Sequence, residues 1–421
     1  MFWTALALIL GKAVAEIALA RLNRKYVLAN RERLPEAFAG VMEPEAYAKS
    51  VEYTLAKNRL AQFETIYDTC VLLLALFSGF LPWFFGWFKN LAGNSVWATA
   101  GYLFAVGLLL GLPGLPVSWY AQFRLEQRFG FNTTTQKLWW IDRLKGLALG
   151  LALGLPLLAL VLKCVDWAGN NWWIWAWALV MGFQLLMLVL APALIMPLFN
   201  KFTPLPEGTL RERLLGLGRR TGFHARNIQL MDGSKRSRHS NAFFTGFGRW
   251  RKIVLFDTLV QQLSEPELEA VLAHEIGHYK KRHIPKMMLF SAVSLFVAFY
   301  LISWLARQQW FYTPFGFNGA EGIVVAILLF GLLSGCATFW LSPLLHLWSR
   351  RYEYQADRYA AETMGEIGSL SGALRKLNEK NLSNLTPHPA YSGFYYSHPT
   401  LLEREQALQS LSVGRNEPAL A

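Results

Sequence analysis

Two histidines and a glutamate stand at the spacing of a helical metal site. His274 and His278 are four positions apart, and Glu275 directly follows the first of them, in the pattern H-E-x-x-H. Residues four apart lie on one face of an α-helix, so the two imidazoles can bind one Zn²⁺. Glu275 can then take a proton from a water molecule that the metal makes acidic. The pattern also arises by chance in unrelated chains, so the assignment of a metal site depends on finding a third ligand.

A downstream carboxylate is the best candidate for that third ligand. The metzincin extension of the motif is absent, because Lys281 and Ile284 occupy the positions of its glycine and third histidine. Glu353 and Asp357 lie one helical turn apart in a second polar stretch. We expect Glu353 to bind the metal and Asp357 to orient a ligand histidine. The alternative interpretation is an exposed charged helix, in which two neighbouring arginines accompany these carboxylates.

The helix that would carry the motif has a clear start. Ser264 followed three positions later by Glu267 is the pattern of a capping box. Upstream of it, the composition predicts a basic helix and then short strands. The helix covers residues 209–222, the strands cover 228–231 and 253–256, and residues 241–245 could pair with either strand. These elements predict a small α+β unit of the zincin type.

The rest of the chain is too apolar for a soluble protein. Of its 421 residues, 53% are hydrophobic and only 16% are charged. A helix needs about 20 apolar residues to cross a hydrocarbon core of roughly 30 Å. Seven such blocks are present, at residues 2–20, 68–88, 96–118, 146–165, 172–196, 287–306 and 322–347. The sequence therefore predicts a mainly α-helical polytopic membrane protein.

The blocks divide the chain into four parts. Residues 1–196 form a five-span membrane region with cytoplasmic loops, and residues 197–286 form a cytoplasmic zincin-like part with the motif helix. Residues 287–347 hold the last two spans, and residues 348–421 form a cytoplasmic part with the third ligand. The first block lacks a basic n-region and contains two charged residues, so we expect it to remain as a span rather than be cleaved as a signal peptide.

The Lys and Arg residues behind the net charge of +13 are distributed as the orientation of the spans requires. Eight Lys and Arg residues lie between the first two blocks, and only one lies in the next connection. Connections rich and poor in basic residues continue to alternate along the chain. The positive-inside rule then predicts an N-terminus outside, with residues 197–286 and the tail after 347 in the cytoplasm. No nucleic-acid partner is expected. The three cysteines lie in or beside apolar blocks and indicate neither disulfides nor a thiolate metal site.

The chain resembles the membrane-embedded zinc CAAX prenyl endopeptidases, the a-factor-converting type. This family cleaves the terminal tripeptide from prenylated CAAX proteins and trims the yeast mating pheromone precursor. The resemblance covers most of the chain and rests on six segments, which are residues 123–132, 238–246, 252–259, 274–278, 349–357 and 397–400.

The resemblance implies one Zn²⁺ per chain and a ring of seven tilted helices around a water-filled chamber, which the zinc domain closes on the cytoplasmic side. It also implies that Asn241 lies near an edge strand onto which an extended substrate adds. His398 and Arg404 would approach the scissile peptide and stabilise its oxyanion or grip the substrate. Simpler roles remain open for each. Asn241 could cap a turn, His398 could be a loop histidine, and Arg404 could pair with a neighbouring glutamate.

We therefore expect an integral-membrane zinc metalloendopeptidase that hydrolyses peptide bonds near the C-terminus of prenylated or other peptides. Its partners would be that peptide or protein substrate and membrane lipid. One alternative is a membrane quality-control zinc peptidase with non-prenylated substrates, although such relatives are shorter and have fewer spans. A second alternative is a transporter or lipid-binding protein with an incidental motif. The compact loops suit a bacterial inner membrane, and a eukaryotic chain would belong in the endoplasmic reticulum.

Overall fold

The fold combines a membrane-spanning helical part with a smaller unit of helices around one β-sheet. The computed structural model describes residues 1–35, 38, 42–223, 227–245, 252–319 and 321–413. Most of these residues are helical, which confirms the predicted mainly α fold class.

The N-terminal half consists of long apolar helices joined by short turns. They are α1 (Phe2–Ala29), α2 (Pro44–Phe77), α3 (Phe80–Ala92), α4 (Val96–Gly111), α5 (Gly114–Tyr120), α6 (Gln127–Phe129), α7 (Gln136–Leu149), α8 (Leu155–Ala168), α9 (Trp172–Leu190) and α10 (Met196–Phe199). Three junctions are π-helical turns, at Ala121–Glu126, Gly150–Gly154 and Ala191–Ile195. Since a π turn keeps the chain helical, α5 continues into α6, α7 into α8 and α9 into α10.

The polar segment that follows forms a four-stranded sheet and the helix with the H-E-x-x-H motif. Its elements are β1 (Phe202–Pro204), α11 (Thr209–Arg220), β2 (Asn227–Met231), β3 (Ala242–Thr245), β4 (Lys252–Phe256), α12 (Asp257–Gln262) and α13 (Glu265–Lys280). The strand order is β1-β2-β4-β3, in which β2 and β4 are parallel and the outer pairs are antiparallel. The predicted helix and both predicted strands are confirmed, and residues 241–245 contribute the edge strand β3.

The C-terminal part returns to the membrane and then packs onto the sheet unit. Its helices are α14 (His283–Leu305), α15 (Gln309–Tyr312), α16 (Ile323–Thr338), α17 (Ser342–Met364), α18 (Gly368–Lys380), α19 (Pro389–Tyr395) and α20 (Leu401–Val413). Helix α17 packs along α13, and α18 and α20 complete one apolar core with the sheet. Residues from distant parts of the chain, such as Leu217, Ile276 and Leu408, are fully buried there.

The described helices include five or six stretches that are long and apolar enough to cross a membrane. Five stretches are long and apolar enough to span a membrane, and α4 with the helix from Gly114 to Glu126, bent by 44°, makes a sixth. The stretch Gln136–Phe199 contains 64 residues, and a straight helix of that length would measure about 96 Å. It instead turns at Gly169, whose φ is +53°, and α8 packs against α9. This stretch is therefore long enough for two crossings, which is compatible with the seven apolar blocks.

The second predicted block was wrong in its position. Residues 68–88 include the break at Ser78 and Gly79 between two helices, and the spanning helix is α2, which ends at Phe77. The apolar block was placed too far along because Lys57, Glu64 and Asp68 reduce the hydropathy of α2. Glu64 and Asp68 line a cavity of about 300 Å³ inside the helical part, so these charged residues avoid lipid.

Candidate active site

The start of α13 is held firmly in place. Glu267 Oε2 accepts hydrogen bonds from the backbone N and the hydroxyl of Ser264, each at 2.8 Å, and the predicted capping box is therefore present. Lys376 Nζ of α18 lies 2.7 Å from the same oxygen. Two residues later, the buried Glu269 accepts hydrogen bonds from Arg213 and Arg220 of α11. These contacts fix the helix that carries the H-E-x-x-H motif.

Small residues allow α13 and α17 to approach closely. A Cβ placed on Gly277 would lie 3.0 Å from the Cα of Ala356. Ala273 and Ala360 are also completely buried in this part of the core. The short distance between the two helices brings Glu353 to the histidines of the motif.

Three side chains converge to form a candidate metal centre. His274 Nε2 lies 3.5 Å from Glu353 Oε2, and His278 Nε2 lies 3.3 Å from Glu353 Oε1. The two Nε2 atoms are 3.1 Å apart. Among the described residues, these three form the one cluster of His, Cys, Asp or Glu with the geometry to hold an ion. Two imidazoles and one carboxylate are a donor set that Zn²⁺ accepts in catalytic sites.

The surroundings of these ligands fit a cation. Glu353 Oε2 is buried and has no hydrogen-bond partner among the described residues, which leaves a lone pair free for an ion. Burial opposes a charge on His274, yet its hydrogen bond to Asp357 and the adjacent carboxylate of Glu353 raise the pKa of His274 to about 9. A site that stabilises positive charge at these nitrogens has the electrostatics that Zn²⁺ requires.

A shell of polar side chains orients the two histidines. His274 Nδ1 lies 2.8 Å from Asp357 Oδ1, and Arg404 Nε donates to Asp357 Oδ2 at 2.8 Å. Asp357 therefore lies beside the candidate ligand His274, and its orienting role stays a prediction. His278 Nδ1 lies 3.0 Å from His283 Nδ1, and the other nitrogen of His283 lies 3.0 Å from Gln355 Oε1. Such partners select the tautomer that leaves Nε2 free for a metal.

His283 has no sequence signal, because five positions separate it from His278. An uninterrupted helix would turn the two side chains to different faces. The structure brings them together because Arg282 adopts a φ of +56° between α13 and α14. His283 also stacks on Tyr352 of α17, with ring centroids 3.9 Å apart.

Glu275 is the candidate general base of this site. It makes no hydrogen bond or ion pair with the described residues, so its carboxylate is free to accept a proton. Burial raises the pKa of Glu275, and the two adjacent histidines oppose this only in part. A carboxylate with a raised pKa is a stronger base, which suits proton transfer near neutral pH.

His398 and Arg404 both lie close to Glu353. His398 Nε2 is 3.4 Å from Glu353 Oε1, and its Nδ1 is 3.0 Å from Ser397 Oγ. Desolvation, together with the nearby Arg404, lowers the pKa of His398, so the imidazole is neutral at pH 7 and its remaining N–H can donate. Arg404 is buried, and its Nη1 is 3.9 Å from Glu353 Oε2. Among the described residues it pairs with Asp357 and not with the glutamates beside it in sequence.

Asn241 immediately precedes the edge strand β3. Its backbone O accepts a bond from Phe256 N at 3.1 Å, and its Oδ1 accepts from Ala242 N at 2.8 Å. In an antiparallel pair, alternate residues direct their N–H groups away from the partner strand. Ala242 N is such a group on the free edge of the sheet. Gly246, the last residue of the segment that suggested a substrate strand, lies outside the described residues.

A large cleft connects this region with the membrane helices. Its volume is about 670 Å³, and His398 and Arg404 lie in its wall. The opposite wall comes from α2, including Lys57, Asn58 and Ala61. A peptide in this cleft would therefore contact the candidate site and a membrane-spanning helix together.

Two family models match consecutive parts of the chain. Residues 23–201 match the model described as CAAX prenyl protease N-terminal, five membrane helices. Residues 204–412 match Peptidase family M48. The two matches together cover nearly all of the described chain.

Similar proteins extend over the same length. CAAX prenyl protease 1 of Saccharomyces cerevisiae is 38% identical over 92% of this chain and 91% of its own length. The CAAX prenyl protease 1 homolog of Homo sapiens is 31% identical over 94% and 92%. The crystal structure of S. mikatae Ste24p superimposes with a TM-score of 0.90 at 36% identity, over 97% of this chain and 98% of that one.

Proposed function

Because this chain belongs to the CAAX prenyl proteases of peptidase family M48, we propose that it is a zinc endopeptidase that cleaves near the C-terminus of prenylated peptides. The chain is an integral multi-pass membrane metallopeptidase. The observation that carries the proposal is the convergence of His274, His278 and Glu353 on one point. Glu275, which has no competing partner among the described residues, lies beside the first of these residues.

The proposed mechanism assigns one role to each side chain. His274, His278 and Glu353 would hold one Zn²⁺, which supplies Lewis-acid activation of water and of the peptide carbonyl. Glu275 removes a proton from the attacking water and returns it to the leaving amine. His398, neutral and exposed to the cleft, donates a hydrogen bond to the developing oxyanion. Arg404 holds Asp357, which in turn holds the ring of His274.

The substrate class is supported by the cleft and by the relatives. The relatives' names specify CAAX prenyl proteases, and the cleft reaches from His398 to α2. A lipid-modified peptide could remain in contact with the helical part while its backbone reaches the site. The five-helix N-terminal match favours this activity over the shorter quality-control peptidases. Family membership also argues against the non-enzymatic alternative.

We propose the orientation that follows from the charge distribution. The N-terminus would lie outside and the catalytic unit in the cytoplasm, because basic residues concentrate in the connections on that side. The compartment would be a bacterial inner membrane, or the endoplasmic reticulum for a eukaryotic chain.

The test is cleavage of a farnesylated CAAX peptide by the purified protein in detergent. An unprenylated peptide and a zinc chelator run in parallel, with zinc content measured for every sample. Glu275→Gln should retain one equivalent of zinc and lose at least about a hundredfold in kcat, since general-base catalysis contributes about that much. Glu265→Gln, at the first turn of the same helix, is the matched control and should cleave normally.

Each outcome decides a separate part of the proposal. Wild-type turnover in Glu275→Gln would refute its assignment as the base. If the protein binds zinc but cleaves only the unprenylated peptide, a quality-control peptidase would be favoured. A protein that binds no zinc would overturn the mechanism.

A further inference from the structure

A further cavity lies on the opposite face of α2 from the cleft that His398 and Arg404 line, which we call the catalytic cleft. Its volume is about 770 Å³, and it is bounded by α2 and by the helix that continues from α5 through α6. Leu60 and Phe63 line it from α2, while Val117 and Tyr120 line it from α5. None of its lining residues belongs to the catalytic cleft. We call this cavity the outer groove.

The outer groove is part of the folded helical structure rather than a surface irregularity. The 44° bend between α4 and α5 directs the second helix away from the first. Tyr67 donates a hydrogen bond to Pro113 O at this bend, at 3.1 Å, which ties α2 to it. Phe63 stacks on Tyr67, with centroids 5.7 Å apart. Phe63 remains 53% exposed and therefore presents an apolar face to whatever fills the groove.

One end of the outer groove is strongly basic. Arg59, Arg124 and Arg128 all line it and are exposed, and none of the described residues in its wall is acidic. Within the described chain, Arg59 and Arg124 form no ion pair. Arg128 lies 3.6 Å from Glu52, but both side chains are about two-thirds exposed, and such a pair is weak. The groove therefore offers three guanidinium groups with little intramolecular compensation.

The basic and apolar parts are separated along the axis of α2. Arg59 and Tyr67 are eight residues apart, which corresponds to about 12 Å along a helix. Next to the arginines, Phe129 packs against Tyr53, close to Leu382 of the α+β unit. The basic end thus faces the catalytic unit, and the apolar part extends toward the middle of the membrane. A phospholipid has the same arrangement, with a charged head group at one end and apolar acyl chains at the other. The boundary between its two parts lies at the same depth in the membrane as the boundary in the groove.

We propose that the outer groove is a binding site for an anionic glycerophospholipid. The phosphate would bind Arg59, Arg124 and Arg128, because guanidinium groups bind phosphate oxygens through paired, charge-assisted hydrogen bonds. One acyl chain would lie against Phe63, in the apolar part. Basic pockets between spans on the cytoplasmic side bind anionic head groups in this way. A zwitterionic lipid binds less well, since its own cation repels the arginines.

The experiment is native mass spectrometry of the full-length protein in detergent. Palmitoyl-oleoyl phosphatidylglycerol is compared with phosphatidylcholine of the same acyl chains. Wild-type protein should retain phosphatidylglycerol preferentially. The variant Arg59→Gln/Arg124→Gln/Arg128→Gln should retain it at least about tenfold less well. The control Arg21→Gln/Arg24→Gln/Lys25→Gln removes the same charge from exposed positions on α1 and should behave as wild type.

Further arms test the two halves of the site separately. Val117→Trp fills the apolar part without a change of charge and should also weaken retention of phosphatidylglycerol. Glycerol phosphate, which carries the phosphate without acyl chains, should not displace the lipid. Equal retention by the triple arginine variant, or equal loss in the α1 control, would overturn the proposal. Displacement by a farnesylated peptide would also overturn it, because the outer groove would then be a substrate site.

Discussion

Gly277 and Ala356 form a close approach between the two helices that carry the candidate metal ligands. A Cβ on Gly277 would lie 3.0 Å from the Cα and 3.1 Å from the carbonyl O of Ala356. Both atoms belong to the backbone of α17, so they cannot move aside as a flexible side chain would. The candidate ligand Glu353 is about one turn before Ala356. The separation of the helices at Gly277 therefore determines how far Glu353 lies from His274 and His278.

Replacing Gly277 with Ala should push α13 and α17 apart. Overpacking of this kind costs about 1–3 kcal/mol, and only about 1 kcal/mol returns through the better helix propensity of alanine. We expect weaker zinc binding and a lower thermal midpoint, measured by chelator competition and by unfolding in detergent. Gly216→Ala in α11 is the control, since its nearest neighbour is the flexible end of Arg219 at 3.8 Å. Unchanged zinc affinity in Gly277→Ala would contradict the expectation.

Asp357 should act on the metal through His274 rather than by direct ligation. Asp357→Asn keeps the shape of the side chain but removes the charge that holds the imidazole and pairs with Arg404. Loss of such a partner lowers metal affinity by about 10–100-fold. Chelator competition measures the change, and Glu362→Gln, an exposed position on the same helix, should leave the affinity intact. If Asp357→Asn bound zinc as tightly as wild type, the orienting role would be wrong.

Local sequence signals predicted the parts of the site that depend on helical spacing. The motif histidines, the capping box at Ser264 and the strand at 253–256 each follow from residues within a few positions of one another. The carboxylates Glu353 and Asp357 could be proposed because they lie one helical turn apart, in a polar stretch that the charge distribution predicts on the same membrane side as the motif. The strand β1 had no signal, since it has three residues and ends in Pro204.

Other features depend on tertiary packing that no local pattern encodes. Arg404 stands between two glutamates and has the local appearance of an exposed residue. It is buried because Glu405 pairs with Arg375 and Asp357 accepts the guanidinium. His283 reaches His278 only through the positive φ of Arg282. The boundary of α2 was obscured because its charged residues face an internal cavity. A hydropathy average depends only on composition and ignores the direction in which each side chain points.

The capping box should make stability depend on pH. Burial alone would raise the pKa of Glu267, but hydrogen bonds from Lys376 and Ser264 lower it below its usual value. Stability from a depressed carboxyl pKa is present above the unfolded pKa, near 4.3, and is lost as the pH falls through the folded value. Glu267→Gln keeps an acceptor for Ser264 but cannot pair with Lys376, at a cost of roughly 1 kcal/mol at neutral pH.

Thermal unfolding in detergent from pH 7 to pH 3 measures this difference. The gap in thermal midpoint between wild type and Glu267→Gln should be largest at pH 6–7 and should narrow below about pH 4.5. The control Glu207→Gln, which changes an almost fully exposed side chain, should follow wild type throughout. A gap that stays constant across the range would show that the loss is not linked to ionisation of Glu267.

The free edge of β3 should contribute to substrate affinity. Ala242 N points away from β4 and is occupied by Asn241 Oδ1. Ala242→Pro removes that donor while leaving the ladder with β4 intact, since proline is tolerated where the N–H faces outward on an edge strand. One hydrogen bond contributes about 0.5–1.5 kcal/mol, so KM should rise about three- to tenfold. The value of kcat should be almost unchanged, because the lost hydrogen bond holds the bound substrate and the transition state equally.

Asn241→Ala distinguishes substrate contact from simple capping. If the amide binds the peptide, KM for the farnesylated substrate should rise in this variant as well, because a side-chain partner is lost. If it serves only as a local cap, the variant should instead lower the thermal midpoint and leave KM as in wild type. Asn227→Ala, at the exposed start of the inner strand β2, controls for the loss of an asparagine beside the sheet. Unchanged KM in both Ala242→Pro and Asn241→Ala would exclude strand addition at this edge, because both changes remove polar groups that face it.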